Sequence, residues 1–127
     1  MPVLRSGLVI AGGYADKARR VLFAQMKDQI KSGEIDAKEV ARAAGELNRL
    51  LYIILVDKLR IDKGDVVRIS VEYEVEDGKI TWKLESLQLQ AWRRVPDEEV
   101  EKVVRETVSS ASELLETAPE YEVEKLG

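Results

Sequence analysis

Apolar residues recur along this chain in two rhythms, one near 3.6 residues and one of 2, and the switches between them outline the elements. Residues 3–11 read as a short strand with Leu8-Val9-Ile10 as its buried part, closed by Gly12-Gly13. Across residues 14–32, Ala15, Ala18, Val21, Leu22, Met26 and Ile30 fall at helical spacing, and Gly33 stands where a left-handed residue ends a helix. Asp36 opens a second helix, expected to accept from the amide of Glu39 while Glu39 reaches back. That helix is predicted to continue to about residue 60, with Val40, Ala43, Ala44, Leu47, Leu50, Leu51, Ile54 and Leu55 as a face that Tyr52, Ile53 and Val56 widen. A helix apolar on most sides is central or covered by a partner, which points to a homo-oligomer, a dimer or a tetramer.

After a turn at Asp62-Lys63-Gly64-Asp65, the period changes to two. Val67, Ile69, Val71, Tyr73 and Val75 alternate with polar or charged residues, and Asp77-Gly78 supplies the positive-φ pair of a type I′ turn. The return strand has Ile80, Trp82 and Leu84 on one face, then changes phase to Leu87, Leu89 and Ala91. One extra residue near Glu85-Ser86 would restore the register as a β-bulge. Tyr73 then faces Trp82 as a core aromatic pair, and Val71 faces Leu84. Beyond the bulge Ile69 faces Leu87, Val67 faces Leu89, Arg68 faces Gln88 and Val66 faces Gln90. Pro96 stops the strand, and Asp97 is placed to cap a third helix through about residue 115 with a core stripe of Val100, Val103, Val104, Val108, Ala111 and Leu115. Pro119 ends it, and residues 119–127 read as an acidic tail. The expected fold is α+β: one domain over residues 1–118, in which an antiparallel sheet (N-terminal strand plus a long bulged hairpin) packs against three helices.

The 127 residues are 45% apolar and include no run long enough for a membrane helix, and the N-terminus lacks the basic-then-apolar layout of a secretory signal, so a cytoplasmic protein without membrane contact is expected. The 35% charged content, with one Asn and four Gln, matches the balance found in hyperthermophile proteins. The net charge of −4 conceals a gradient: residues 1–33 carry +4 and residues 97–127 carry −7. Lys17, Arg20, Ala24, Lys27 and Lys31 line up as a basic stripe on the first helix, which reads either as a binding edge or as the wet side of an amphipathic helix.

No Cys and no His are present, so the commonest general base and the usual transition-metal ligands are missing. Neither a P-loop nor a nucleophile elbow occurs, and no enzyme, metal site or cofactor is expected. The chemistry concentrates instead in Gln88-Leu89-Gln90-Ala91-Trp92-Arg93-Arg94, where amides, an indole and two guanidiniums sit within seven residues. Such groups stack on unpaired bases and neutralise phosphates. The candidate nucleic-acid-binding set is Trp92, Arg93, Arg94, Arg68, Gln88, Gln90, Lys17, Arg20 and Tyr14. A protein-interaction or scaffold module is the alternative, because Trp and Arg also anchor protein interfaces.

The block Ser6-Gly7-Leu8-Val9-Ile10-Ala11-Gly12-Gly13-Tyr14-Ala15-Asp16-Lys17-Ala18-Arg19-Arg20, followed by a long helix, a hairpin and an acidic helix, resembles the archaeal ThermoDBP and ThermoDBP-related proteins over about residues 5–110. The resemblance implies single-stranded DNA or RNA as partner, oligomers, and a cleft in which apolar and aromatic groups receive bases while basic residues flank them.

Overall fold

The computed structural model describes residues 1–117; the expected tail from residue 119 lies outside them. The chain forms two compact units, Met1–Arg94 and a second beginning at Val95.

In the first unit, strands β1 (Val3–Ile10), β2 (Val66–Glu76) and β3 (Lys79–Trp92) form an antiparallel sheet in the order β1-β2-β3. Helix α1 (Tyr14–Gln25) packs on β1, α3 (Ala37–Tyr52) packs on β3, and the two helices touch each other. The short α2 (Lys27–Ser32) connects them. One stretch predicted as a single helix is thus two, because Met26 adopts φ −95°, ψ 5° between them. Gly33 ends α2 in the left-handed region at φ 82°, as its position foretold.

The alternating residues Val67, Ile69, Val71 and Tyr73 of β2 are fully buried against Leu22 of α1 and Val40, Ala43, Leu47 and Leu51 of α3. Tyr73 and Trp82 meet edge to face at 5.3 Å, as predicted. Their polar tips are satisfied: the Tyr73 hydroxyl donates to Gln25 Oε1 at 2.7 Å, and the Trp82 indole N–H donates to the Ala43 carbonyl at 2.8 Å.

The expected capping box does not form. Asp36 accepts from the Lys38 amide, while Glu39 turns to the sheet. There it accepts from Arg42 at 2.7 and 2.8 Å and from the Ile80 amide at 2.8 Å, and Arg42 donates to the Ile80 carbonyl at 3.0 Å. An exposed carboxylate would gain little from closing its own helix end. This one gains a bidentate guanidinium and locks α3 to the hairpin. Beyond Tyr52 the helix widens to π geometry over Ile53–Lys58, with the Leu59 amide donating to the Ile54 carbonyl at 2.9 Å.

Two bulges set which residues face outward. Asp77 and Gly78 take φ 53° and 74°, so the hairpin turn matches expectation. Tyr73 pairs with Trp82, but past the bulge Ile69 pairs with Leu89 and Val67 with Ala91, not with Leu87 and Leu89. Leu84, Glu85, Ser86 and Leu87 all stand opposite Val71. The irregularity therefore absorbs three extra residues where one was predicted. The face assignment survives because both insertions are odd, while each pairing slides by two. Ser86 closes this bulge, its hydroxyl accepting from the Glu72 amide at 2.8 Å and donating to the Lys83 carbonyl at 2.6 Å.

The second bulge was not anticipated. In β1, Ser6 and Gly7 together face Ile69, and Gly7 has φ 66°. Ser6 is buried and its hydroxyl accepts from the Ile69 amide at 2.9 Å, replacing the interrupted ladder bond. The bulge inverts the phase of β1. Leu8 and Ile10, expected in the core, are 64% and 61% exposed.

The second unit contains α4 (Asp97–Ser109) and α5 (Ala111–Thr117), separated at Ser110. Pro96, not Asp97, holds the cap position of α4. Of the stripe expected to be core, Val100, Val103, Val104, Val108 and Leu115 are exposed, from 46% at Val100 to 75% at Leu115, and Ala111 is half-buried.

Candidate nucleic-acid interface

The face of the sheet turned away from α1 and α3 is organised in rows by strand pairing. Arg5, Ser70 and Gln88 form one row; Leu8, Arg68 and Gln90 the next; Ile10, Val66 and Trp92 the third. Directly opposed residues point to the same side, and rows two residues apart lie about 6.7 Å from each other along the strand. Arg5, Ser70 and Gln88 of the first row and Arg68 and Gln90 of the second, with Gly7, line an open groove of about 790 Å³.

Trp92 sits at the end of this surface, 44% exposed. Its ring is not sealed in the interior. The Arg68 guanidinium lies 5.5 Å from the indole centroid and donates through Nε to Gln90 Oε1 at 2.6 Å. Indole, guanidinium and carboxamide thus form one connected patch, flanked across the sheet by the exposed side chains of Leu8 and Ile10. Exposed large apolar groups that cluster beside cations mark binding surfaces more than packing defects. One row further toward the hairpin turn the character reverses, with Glu72 paired to Lys83 and Glu74 bonded to Lys83 at 3.0 Å.

The other candidates lie elsewhere. Arg93 follows Trp92 and so points away from the open face. Its guanidinium donates to the Leu59 carbonyl at 2.8 Å and the Arg60 carbonyl at 3.4 Å, capping the helical segment that ends there. The Arg94 amide donates to Asp65 at 2.7 Å, and its side chain lies against Gly64, where an added Cβ would come within 2.7 Å of Nη1. The amides of Arg94 and then Asp62, both bonded to the buried Asp65 carboxylate, hold it below the usual carboxylate range. Arg93 through its guanidinium and Arg94 through its backbone amide therefore fasten the chain after β3 to the segment over residues 59–65, and of these three arginines Arg68 is the one beside Trp92.

Tyr14, Lys17 and Arg20 belong to α1, on the helical side of the sheet. Tyr14 packs against the core, and burial, followed by the neighbouring Tyr52, pushes its hydroxyl above the usual tyrosine range. Arg20 is paired with Asp16 at 2.8 Å. Sequence reasoning missed Arg5, Leu8 and Ile10 as members of the open face. The available signal was Gly7, since an isolated glycine inside a strand pattern marks a bulge.

The fold and this surface define an α+β protein with one helix-covered sheet face and one open, aromatic and cationic face. The family profile described as ThermoDBP-related, archaea, matches residues 4–81. The chain belongs to that family. The structure of apeThermo-DBP-RP2 bound to ssDNA dT10 superposes with a TM-score of 0.82 at 56% identity, covering 91% of this chain and 53% of that one. The chain thus spans about half the length of that relative. A crystal structure of pfuThermo-DBP-RP1 superposes with a TM-score of 0.67 at 37% identity, covering 98% of this chain and 86% of that one. No curated protein matches the chain.

Proposed function

We propose that this protein binds single-stranded DNA across the open sheet face, without strong sequence preference and without catalysing a reaction. One observation carries the reading: Trp92, Arg68, Gln88 and Gln90 share an uncovered surface with Leu8, Ile10 and Arg5. The structure of a 56% identical relative holds ssDNA. Trp92 stacks on a base, Leu8 and Ile10 give its neighbours an apolar bed, Arg5 meets phosphates, and Arg68 brings its donors beside the ring. Gln88 and Gln90 donate to base edges. Lys17 and Arg20, together with Arg93, Arg94 and Tyr14, contribute field and support at the margins and make no contact on the open face itself. Among the described residues no helix is long and apolar enough to cross a membrane, and the proposed place of action is the cytoplasm.

Fluorescence anisotropy with labelled dT10 tests this. Affinity is expected to fall steeply between about 50 and 200 mM salt as phosphate contacts release counterions. Removing the indole in Trp92→Ala is expected to cost about 1–3 kcal/mol of binding, the range for a stacked base. Absence of binding at low salt, or binding indifferent to both Trp92→Ala and Arg68→Ala, refutes the assignment.

A second observation favours assembly. The apolar stripe of α4, with Val100, Val103, Val104 and Val108 all exposed, has the make-up of a helix face covered by another chain. We infer a homo-oligomer that presents several sheet faces to one strand. Light scattering with and without dT10 separates this from a scaffold with no nucleic-acid role: a scaffold assembles identically and shows no added mass.

A further inference from the structure

We propose that Arg68 and Gln90 form a donor-rich reading edge that favours keto bases (thymine, uracil, guanine) over amino bases (cytosine, adenine); the inference rests on the single-strand reading above. Gln90 pairs directly with Arg68 across β2 and β3, and the bond from Arg68 Nε to Gln90 Oε1 is 2.6 Å long. A guanidinium has donors and no acceptors, so chemistry alone decides which end of the carboxamide meets it. One lone pair of the Gln90 oxygen is engaged, and the NH2 group is turned away from Arg68. Among the described residues no protein acceptor meets that NH2 group or the two terminal nitrogens of Arg68. Gln88 has no such partner, and its amide is free to present either end.

The result is a short row of N–H groups one strand row from the Trp92 ring, where a stacked base would bring its edge. The exocyclic position of the bases sorts against this row. Thymine and uracil offer O4, and guanine offers O6 beside N7, all acceptors. Cytosine and adenine place an amino donor at the equivalent position. A free glutamine reads adenine by pairing both ends of its amide with N6 and N7. Here that mode is weakened, because Arg68 holds one of the two lone pairs of the oxygen it needs and fixes the amide with its NH2 group outward. An N–H facing an amino group leaves both donors unsatisfied, and the mismatch disfavours the complex.

Labelled dU10 and dC10 provide the test, since uracil and cytosine are close in size and stacking and differ at the keto or amino edge. The wild-type chain is expected to bind dU10 about three- to tenfold more tightly, the worth of about one net hydrogen bond. Gln90→Glu keeps the shape and the acceptor for Arg68 but replaces the outward N–H groups with oxygen. It lowers affinity for both oligonucleotides by its charge, and the dU10 to dC10 ratio is expected to fall to one or invert. A wild-type ratio of one, or an unchanged ratio in Gln90→Glu, overturns the proposal while leaving single-strand binding intact. Failure to bind either oligonucleotide at low salt defeats the single-strand reading and this one with it.

Discussion

The two faces of one three-stranded sheet are built from the same strands and obey opposite rules. On the helical face Val67, Ile69, Val71 and Tyr73 are wholly enclosed, and the polar tips of Tyr73 and Trp82 have partners. On the open face Leu8, Ile10 and Trp92 stand in solvent beside Arg68 and Gln90. Burial of large apolar side chains is worth about 1.5–3 kcal/mol each, so leaving three of them exposed forgoes stability that folding would otherwise gain. The difference teaches that the enclosed face carries the fold and the open face carries the function. Substitutions on each should register in different assays.

The two tryptophans give the sharpest contrast. Trp82→Ala should destabilise the protein by about 3–5 kcal/mol through the lost ring and the orphaned contact with Tyr73, read as a shift in the denaturation midpoint. Trp92→Ala should move that midpoint by less than about 0.5 kcal/mol while weakening dT10 binding. Equal stability losses at both positions would erase the distinction between the faces.

Glu39 probes how the helical face is fastened. Glu39→Ala breaks a charge-assisted network between α3 and the hairpin and should cost about 1.5–3 kcal/mol. Bonds from Arg42, then from the Ile80 amide, hold this carboxyl at about 2 instead of 4.5. A depressed carboxylate stabilises the fold fully above its unfolded value. Its contribution should therefore persist above pH 4.5 and disappear as pH falls toward 2. Acid titrations of wild type and Glu39→Gln should converge across that window, and parallel curves would show that Glu39 has no linkage to folding.

Gly7 joins the two faces. Any side chain there is strained at φ 66° although nothing crowds the space around it, so Gly7→Ala should cost about 1–2 kcal/mol. If the strand relieves that strain by losing the bulge, Leu8 and Ile10 rotate inward and dT10 affinity drops as well. A stability loss with unchanged affinity would separate the bulge from the binding surface.

Much of this was legible in the residue pattern. Period-two alternation and Asp77-Gly78 determined the hairpin, the Tyr73–Trp82 pair and the presence of a bulge, because a strand face and a type I′ turn are local properties of the chain. Helical spacing likewise determined α1 and α3, and the string from Ser6 to Arg20 pointed to the family. Tertiary structure decided the rest. The bulge in β3 could have any odd length and still preserve the apolar phase, so only cross-strand bonding through Ser86 selected three residues and placed Gln90, not Gln88, against Arg68. The phase of β1 depended on a single buried hydroxyl, Ser6, bonding a strand 63 residues away. Arg93 and Arg68 are alike as residues. One turned to helix-end carbonyls and the other to an indole because alternate strand positions face opposite sides, and nothing local says which side the helices will cover.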